Sequence, residues 1–209
     1  MLKNIFIILV FLSPTGIFAQ NIKQINTDLK LTDSLSYNRE IRVYQDQGIT
    51  NYTSVFRIYK DSIEWKVEFF EHFAKVRPQD TLKIKKRDLK SKNDKEFVFE
   101  NLIRSYALEL PDMERIEWKL ESRKEVVKQI DTSRRGEILI FYWTPISKMS
   151  TTDGESFIVQ VKTYNGTNTF SYGNPDLYLK RYPNVDELIY MCEILDIIRT
   201  EFNIWKKED

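Results

Sequence analysis

The sequence predicts an α+β domain in which antiparallel sheet packs with a mid-chain helix and a long C-terminal helix. Three observations predict it. Apolar and polar residues alternate over 63–69, an Asn165-Gly166 pair separates two alternating runs, and Leu188, Met191, Leu195, Ile198 and Phe202 form a stripe at helical spacing.

The N-terminus comes first. Lys3 supplies a positive start, residues 5–12 are an unbroken apolar run, and Pro14 and Gly16 are expected to break any helix before the small residue Ala19. This is the pattern of a secretory signal peptide over residues 1–19, cleaved after Ala19. The apolar run is well short of the roughly 20 residues a bilayer crossing needs, and no later run is longer, so no transmembrane segment is expected after cleavage. Residues 20–38 are polar with scattered leucines and are expected to be an extended leader.

The single domain is expected over 39–209. Ile41 and Val43 alternate with Arg42 and Tyr44, Gly48 interrupts, and residues 55–59 resume a β-branched and aromatic run, which reads as strand, turn, strand. In the next strand Ile63, Trp65, Val67 and Phe69 share one face, while Glu64, Lys66 and Glu68 occupy a face expected to be solvated. Leu82 and Ile84 suggest a short further strand before a basic, turn-rich connection.

Over 93–108 the period changes to that of a helix. Phe97, Phe99, Leu102, Ile103 and Tyr106 follow an Asn93 cap with Glu96 three residues on, and Leu110-Pro111 stops the helix. Residues 113–130 fit both periods and are read as a pair of strands. Ile138–Trp143 is apolar on both faces, which predicts a central strand covered from both sides. The Asn165-Gly166 hairpin and a C-terminal helix capped at Asn184 complete the chain. The like-patterned caps at Asn93 and Asn184 suggest two β-meander-plus-helix halves, 39–110 and 111–209.

Composition bounds the function. Removing 19 residues from 209 leaves 190, and because Lys3 is the one charge lost, 31 basic and 31 acidic side chains remain. A neutral chain has no global attraction for nucleic acid. Cys192 is the only cysteine, so no intramolecular disulfide can form and the core must hold the fold. An exported chain without cysteine pairs reads as bacterial, periplasmic or extracellular.

The catalytic inventory is thin. Cys192 among Met191, Ile194 and Leu195 reads as a buried thiol, and His72 is the only histidine. Neither a nucleophile elbow nor a glycine-rich phosphate loop is present, so no cofactor is expected. One histidine and one cysteine cannot build the usual nitrogen and sulfur metal site, and Asp153-Gly154-Glu155 is too short for a calcium loop. Glu64, Glu68 and Glu71 are the carboxylates a glycosidase reading would use. Trp65, Trp118 and Trp143 fall in apolar registers and are expected in the core, leaving Trp205 as the exposed tryptophan.

One segment stands out by charge. Lys83, Lys85, Lys86, Arg87, Lys90, Lys92 and Lys95 face only Asp88 and Asp94 over residues 83–95, a local excess of five positive charges suited to an anionic partner. No aromatic residue is interleaved there, which argues against stacking single-stranded nucleic acid. The leading expectation is a non-enzymatic exported domain that binds a protein or envelope component. The alternatives are a carboxylate-based hydrolase acting on a glycan or cell-wall substrate, which needs two facing acids in a cleft, and a lipophilic-ligand carrier, which needs an apolar cavity.

Overall fold

The structure, a computed structural model, describes residues 15–48, 50–77, 81–148 and 154–206. In chain order helix α1 (Thr15–Leu29) precedes strands β1 (Glu40–Asp46), β2 (Tyr52–Lys60), β3 (Trp65–Phe73) and β4 (Lys83–Asp88), then α2 (Lys95–Arg104) and a 3-10 helix, Met113–Lys119. The second half holds β5 (Glu121–Arg123), β6 (Val127–Thr132), β7 (Ile138–Trp143), β8 (Ile146–Lys148), β9 (Ser156–Thr163), β10 (Gly166–Gly173), α3 (Pro175–Arg181) and α4 (Asp186–Phe202). The fold is α+β, with a mid-chain helix and a long C-terminal helix as the sequence predicts. Strands from both halves enter one six-stranded sheet, ordered β10-β9-β1-β2-β3-β4 and antiparallel throughout.

Alternation along these strands gives the sheet two unlike faces. Ile41, Val43, Phe56, Val67, Phe69 and Val159 are buried on the first, against the inward stripes of α2 and α4. All five residues of the predicted α4 stripe are buried. Asp94, rather than the predicted Asn93, caps α2, its carboxylate accepting from the N–H groups of Glu96 (2.9 Å) and Phe97 (3.1 Å). Asn93 instead donates to the Glu201 carboxylate from its backbone and its side chain, tying the start of α2 to α4. Tyr106 lies beyond the helix with a φ of +56° and leaves the stripe for the surface, where it packs on Tyr190. Val185, not Asn184, precedes the first residue of α4.

The second face holds the larger departures. Helix α1 crosses it, with Ile25 and Leu29 packed on Tyr44, Val55 and Phe70. The expected extended leader over 20–38 is therefore helical as far as Leu29, and Gly16 lies in the first turn of α1 instead of breaking it. The reason is energetic: a helical glycine costs only about 1 kcal/mol relative to alanine, which burial of two aliphatic side chains outweighs. Residues 1–14, most of the expected signal peptide, lie outside the described residues. Ile25 and Leu29, which pack α1 on the sheet, follow Ala19, so cleavage there retains them. Among the described residues no helix is long and apolar enough to cross a membrane.

Two turns show how local geometry sets the meander. Gly48 links β1 to β2 with φ +64°, and a Cβ there would stand 2.9 Å from the Gly154 carbonyl oxygen. The β9–β10 hairpin forms as predicted, but its two loop residues are Tyr164 and Asn165, with Gly166 already paired to Thr163. Neither loop residue has positive φ, so the turn is not the mirror-image type that Asn-Gly favours.

Residues 121–148 form a ribbon outside the main sheet. β6 pairs with β7 and β5 with β8, and Lys124 N–H donates to the Pro145 carbonyl between the two pairs. The segment Ile138–Trp143, expected to be a covered central strand, is exposed along its whole length. A continuous apolar run has no polar face to orient it, so its pattern says only that both faces suit an apolar neighbour. The ribbon also holds Trp143, half exposed, while Trp118 is exposed on the 3-10 helix that replaces the first of the two strands expected over 113–130. Of the three tryptophans expected in the core, Trp65 is there.

Candidate functional site

Cys192 and His72 lie on opposite sides of the sheet. Cys192 is buried on α4 over the first face, whereas His72 shares the second face with Phe70 and places its Nε2 2.8 Å from Asp28 on α1. A Cys-His dyad is thereby excluded by topology. Among the described residues no group of three or more His, Cys, Asp or Glu side chains could hold a metal ion. Glu155, the described acid of the Asp153-Gly154-Glu155 turn, accepts a 2.6 Å hydrogen bond from Gln45.

The carboxylates a glycosidase would need are dispersed or neutralised. Glu64 precedes β3 and is exposed, and Glu68 and Glu71 point to opposite faces of that strand. Glu68 is not on a solvated face. It lies in a buried ionic row that crosses four strands: Arg42 Nε and Arg57 Nε donate to Glu40 Oε1 at 2.7 and 2.8 Å, Arg57 Nη1 donates to Glu68 Oε2 at 3.1 Å, and Lys86 Nζ reaches Glu68 Oε1 at 2.5 Å. Arg42 closes the row against the Thr32 carbonyl at 2.6 Å. Burial opposes ionisation of Glu40, but the two guanidiniums and the Tyr37 N–H outweigh it and hold the carboxyl below its ordinary range.

Asp46 is the acid with the opposite tendency, its pKa raised by burial against the N–H groups of Gly48 and Gln47. It lines a crevice of about 20 Å³ between α1 and the sheet, together with Tyr44, Thr53 and Ser156. Such a space holds about one water and no sugar ring. A single acid in that crevice is not the facing pair that glycoside hydrolysis requires.

The basic segment has a definite geometry. Lys83, Lys85, Lys86 and Arg87 lie on β4, an edge strand exposed along its length, and not in a turn-rich connection. Each is within reach of β3: Lys83 stands opposite Phe73, Lys85 Nζ is 5.7 Å from the Phe73 ring, Lys86 Nζ is 5.4 Å from Phe70, and the Arg87 guanidinium is 4.9 Å from Phe69. Sequence reading missed these aromatic partners because they belong to the neighbouring strand, and only the pairing register reveals them. Lys86 is committed to Glu68, which leaves Lys83, Lys85 and Arg87 together on the first face of the edge. Lys90 and Lys92 follow on the exposed connection, and Lys95 donates to the Trp65 carbonyl at 2.9 Å, apart from the strand's row. A surface cavity of about 450 Å³ opens beside this end of the sheet, lined by Asn51, Phe73, Ala74, Thr81, Lys83 and Lys85.

Trp205, expected to be exposed, is instead drawn onto the sheet. Its indole N–H donates to Ser54 Oγ at 2.8 Å, and its ring meets Phe56, Phe69 and Phe157 edge-on. Arg199 assists by donating to the Trp205 carbonyl and pairing with Asp176, so it is held against the protein rather than turned to water. Comparison with known proteins found no matching family model, no matching curated protein and no matching solved structure.

Proposed function

We propose that this chain is an exported, non-enzymatic binding or accessory domain that recognises a protein or envelope component by taking an acidic, extended segment of it along β4. The observation that carries this reading is the open edge strand bearing Lys83, Lys85 and Arg87 on one side. An edge strand offers unpaired backbone N–H and C=O groups, and a peptide can add to it as a further strand. Lysines on an edge discourage pairing with ordinary strands, and the same charge favours an acidic one. The cations rest near aromatic rings of β3, which limits the freedom they lose on binding.

A fluorescein-labelled peptide of alternating glutamate and threonine provides the test, read by anisotropy. Binding is expected to weaken steeply with salt, as exposed charges are screened. The combined variant Lys83→Glu, Lys85→Glu, Arg87→Glu is expected to weaken it by roughly 100-fold or more, since like charges then face each other. Equal affinity for that variant, or equal affinity of the native chain for a lysine-threonine peptide, would overturn the reading. Export carries its own expectation: intact-mass measurement of the chain recovered outside the cytoplasm should place the N-terminus at Gln20. A chain retaining Met1 would refute cleavage.

A further inference from the structure

The β6–β7 ribbon is the least satisfied surface of the described chain. An isolated two-stranded ribbon is marginal in water, and this one exposes Ile130, Ile138, Ile140, Phe141, Tyr142 and Trp143 at half or more of their surface. With large side chains presenting about 150–250 Å² each when fully exposed, the ribbon offers on the order of 600 Å² of apolar surface divided between its two faces, a sum at the upper end of a monomer's usual largest patch. A strand added along the open β7 edge satisfies its backbone groups and brings apolar side chains beside those of β7 on both faces.

We propose that the occupant is a second copy of this chain, with β7 of one copy pairing antiparallel to β7 of the other about a two-fold axis at Ile140. Register supports this pairing. A two-fold axis relating neighbouring antiparallel strands runs perpendicular to the sheet and keeps each face on its own side. Facing residues must therefore lie on the same face of the strand. Centred on Ile140, this sets Ile140 opposite Ile140, Leu139 opposite Phe141 and Ile138 opposite Tyr142, so residues 138–142 face uncharged apolar or aromatic partners, and Trp143 at the strand's end stands opposite Glu137 of the turn. β7 carries no charge along its six residues, and an identical strand brings none. The β6 edge serves less well, because every face-preserving register of β6 on itself sets Lys128 or Asp131 against a like charge or an uncharged residue.

The tip of the ribbon separates this occupant from a lipid bilayer. Arg134, Arg135 and Glu137 sit between the strands, so the end that would enter a membrane first is charged. The strand addition proposed at β4 is independent, since it uses the opposite kind of surface on a different sheet.

Sedimentation velocity on the purified chain tests the inference, with a dimer expected at about 100 μM, where even a micromolar interface is occupied. Ile140→Lys places two like charges on the two-fold axis and is expected to raise the dissociation constant roughly 100-fold or more. Ile140→Glu is expected to do the same. Mixing the two variants should restore a heterodimer, since only then do Lys and Glu face each other. Far-UV circular dichroism and the melting midpoint of each variant should match those of the parent monomer, because the ribbon lies outside the core. A monomeric parent chain at that concentration, a dimer that survives Ile140→Lys, or a mixture that stays monomeric would each overturn the proposal, the first leaving the ribbon to a different partner.

Discussion

Glu40→Ala is expected to lower the unfolding free energy by about 3–5 kcal/mol, the range for breaking a buried ion pair by removing one partner. Glu40 is fully buried, and a single oxygen accepts from both Arg42 and Arg57. Those two arginines are direct partners in the β1–β2 register, so without the carboxylate two buried like charges face each other across adjacent strands. Glu40→Gln keeps the shape and removes the charge, and it adds a pH signature. Because the folded-state pKa of Glu40 lies below its ordinary 4.5, the carboxylate's contribution is fully present above that value. It is lost as the pH falls through the folded-state pKa, where the native side chain also becomes neutral. The gap between the native chain and Glu40→Gln, measured by urea unfolding, should therefore be widest near pH 7 and shrink below about pH 4.5. A gap that widens on acidification, or a loss under about 1 kcal/mol for Glu40→Ala, would show that water compensates the two guanidiniums.

That buried row marks the limit of what the pattern of residues reveals. Apolar faces announce themselves: Trp65, Val67 and Phe69 alternate with polar neighbours, and in the structure all three are buried on one side of β3. The opposite side reads as solvated because it carries Lys66 and Glu68, yet Glu68 is buried there beside Arg57. A charge enclosed with a partner has the same local sequence as a charge in water, and the partner lies far along the chain. Glu40 and Arg57 are separated by 17 residues, and Glu68 and Lys86 by 18. Only the strand register brings them together.

The candidate site was legible in composition but not in form. The excess of lysine over residues 83–95 is visible without a structure, whereas its division is not: Lys83, Lys85 and Arg87 line one side of an edge, Lys86 belongs to the buried row, and Lys95 serves a backbone carbonyl. The β6–β7 ribbon is the converse case. Its apolar residues look like those of a core strand, and they are exposed because nothing else among the described residues covers them.

Leu195→Ala is expected to cost about 2–5 kcal/mol, as large-to-small substitutions in packed interiors do. Leu195 has no exposed surface and lies in the middle of α4, with Met191 and Ile198 buried a turn away on either side. Helix ends can fray to relieve a lost contact, but a central position cannot, so the vacated volume persists as a cavity. α4 is also fixed at both ends: near its start Glu187 accepts from Lys119, and in its last turn Glu201 holds the start of α2 while Arg199 holds Asp176 and the Trp205 carbonyl. These anchors keep the helix from sinking into the gap, which places the expected loss in the upper part of the range. Thr200→Ala, at an exposed position of the same helix, should change stability by no more than about 0.5 kcal/mol. Denaturant unfolding of both variants makes the comparison. If Leu195→Ala lost less than about 1 kcal/mol, the helix would be free to shift, and the Asn93–Glu201 and Arg199–Asp176 contacts could not be the fixed points that the packing of α4 requires.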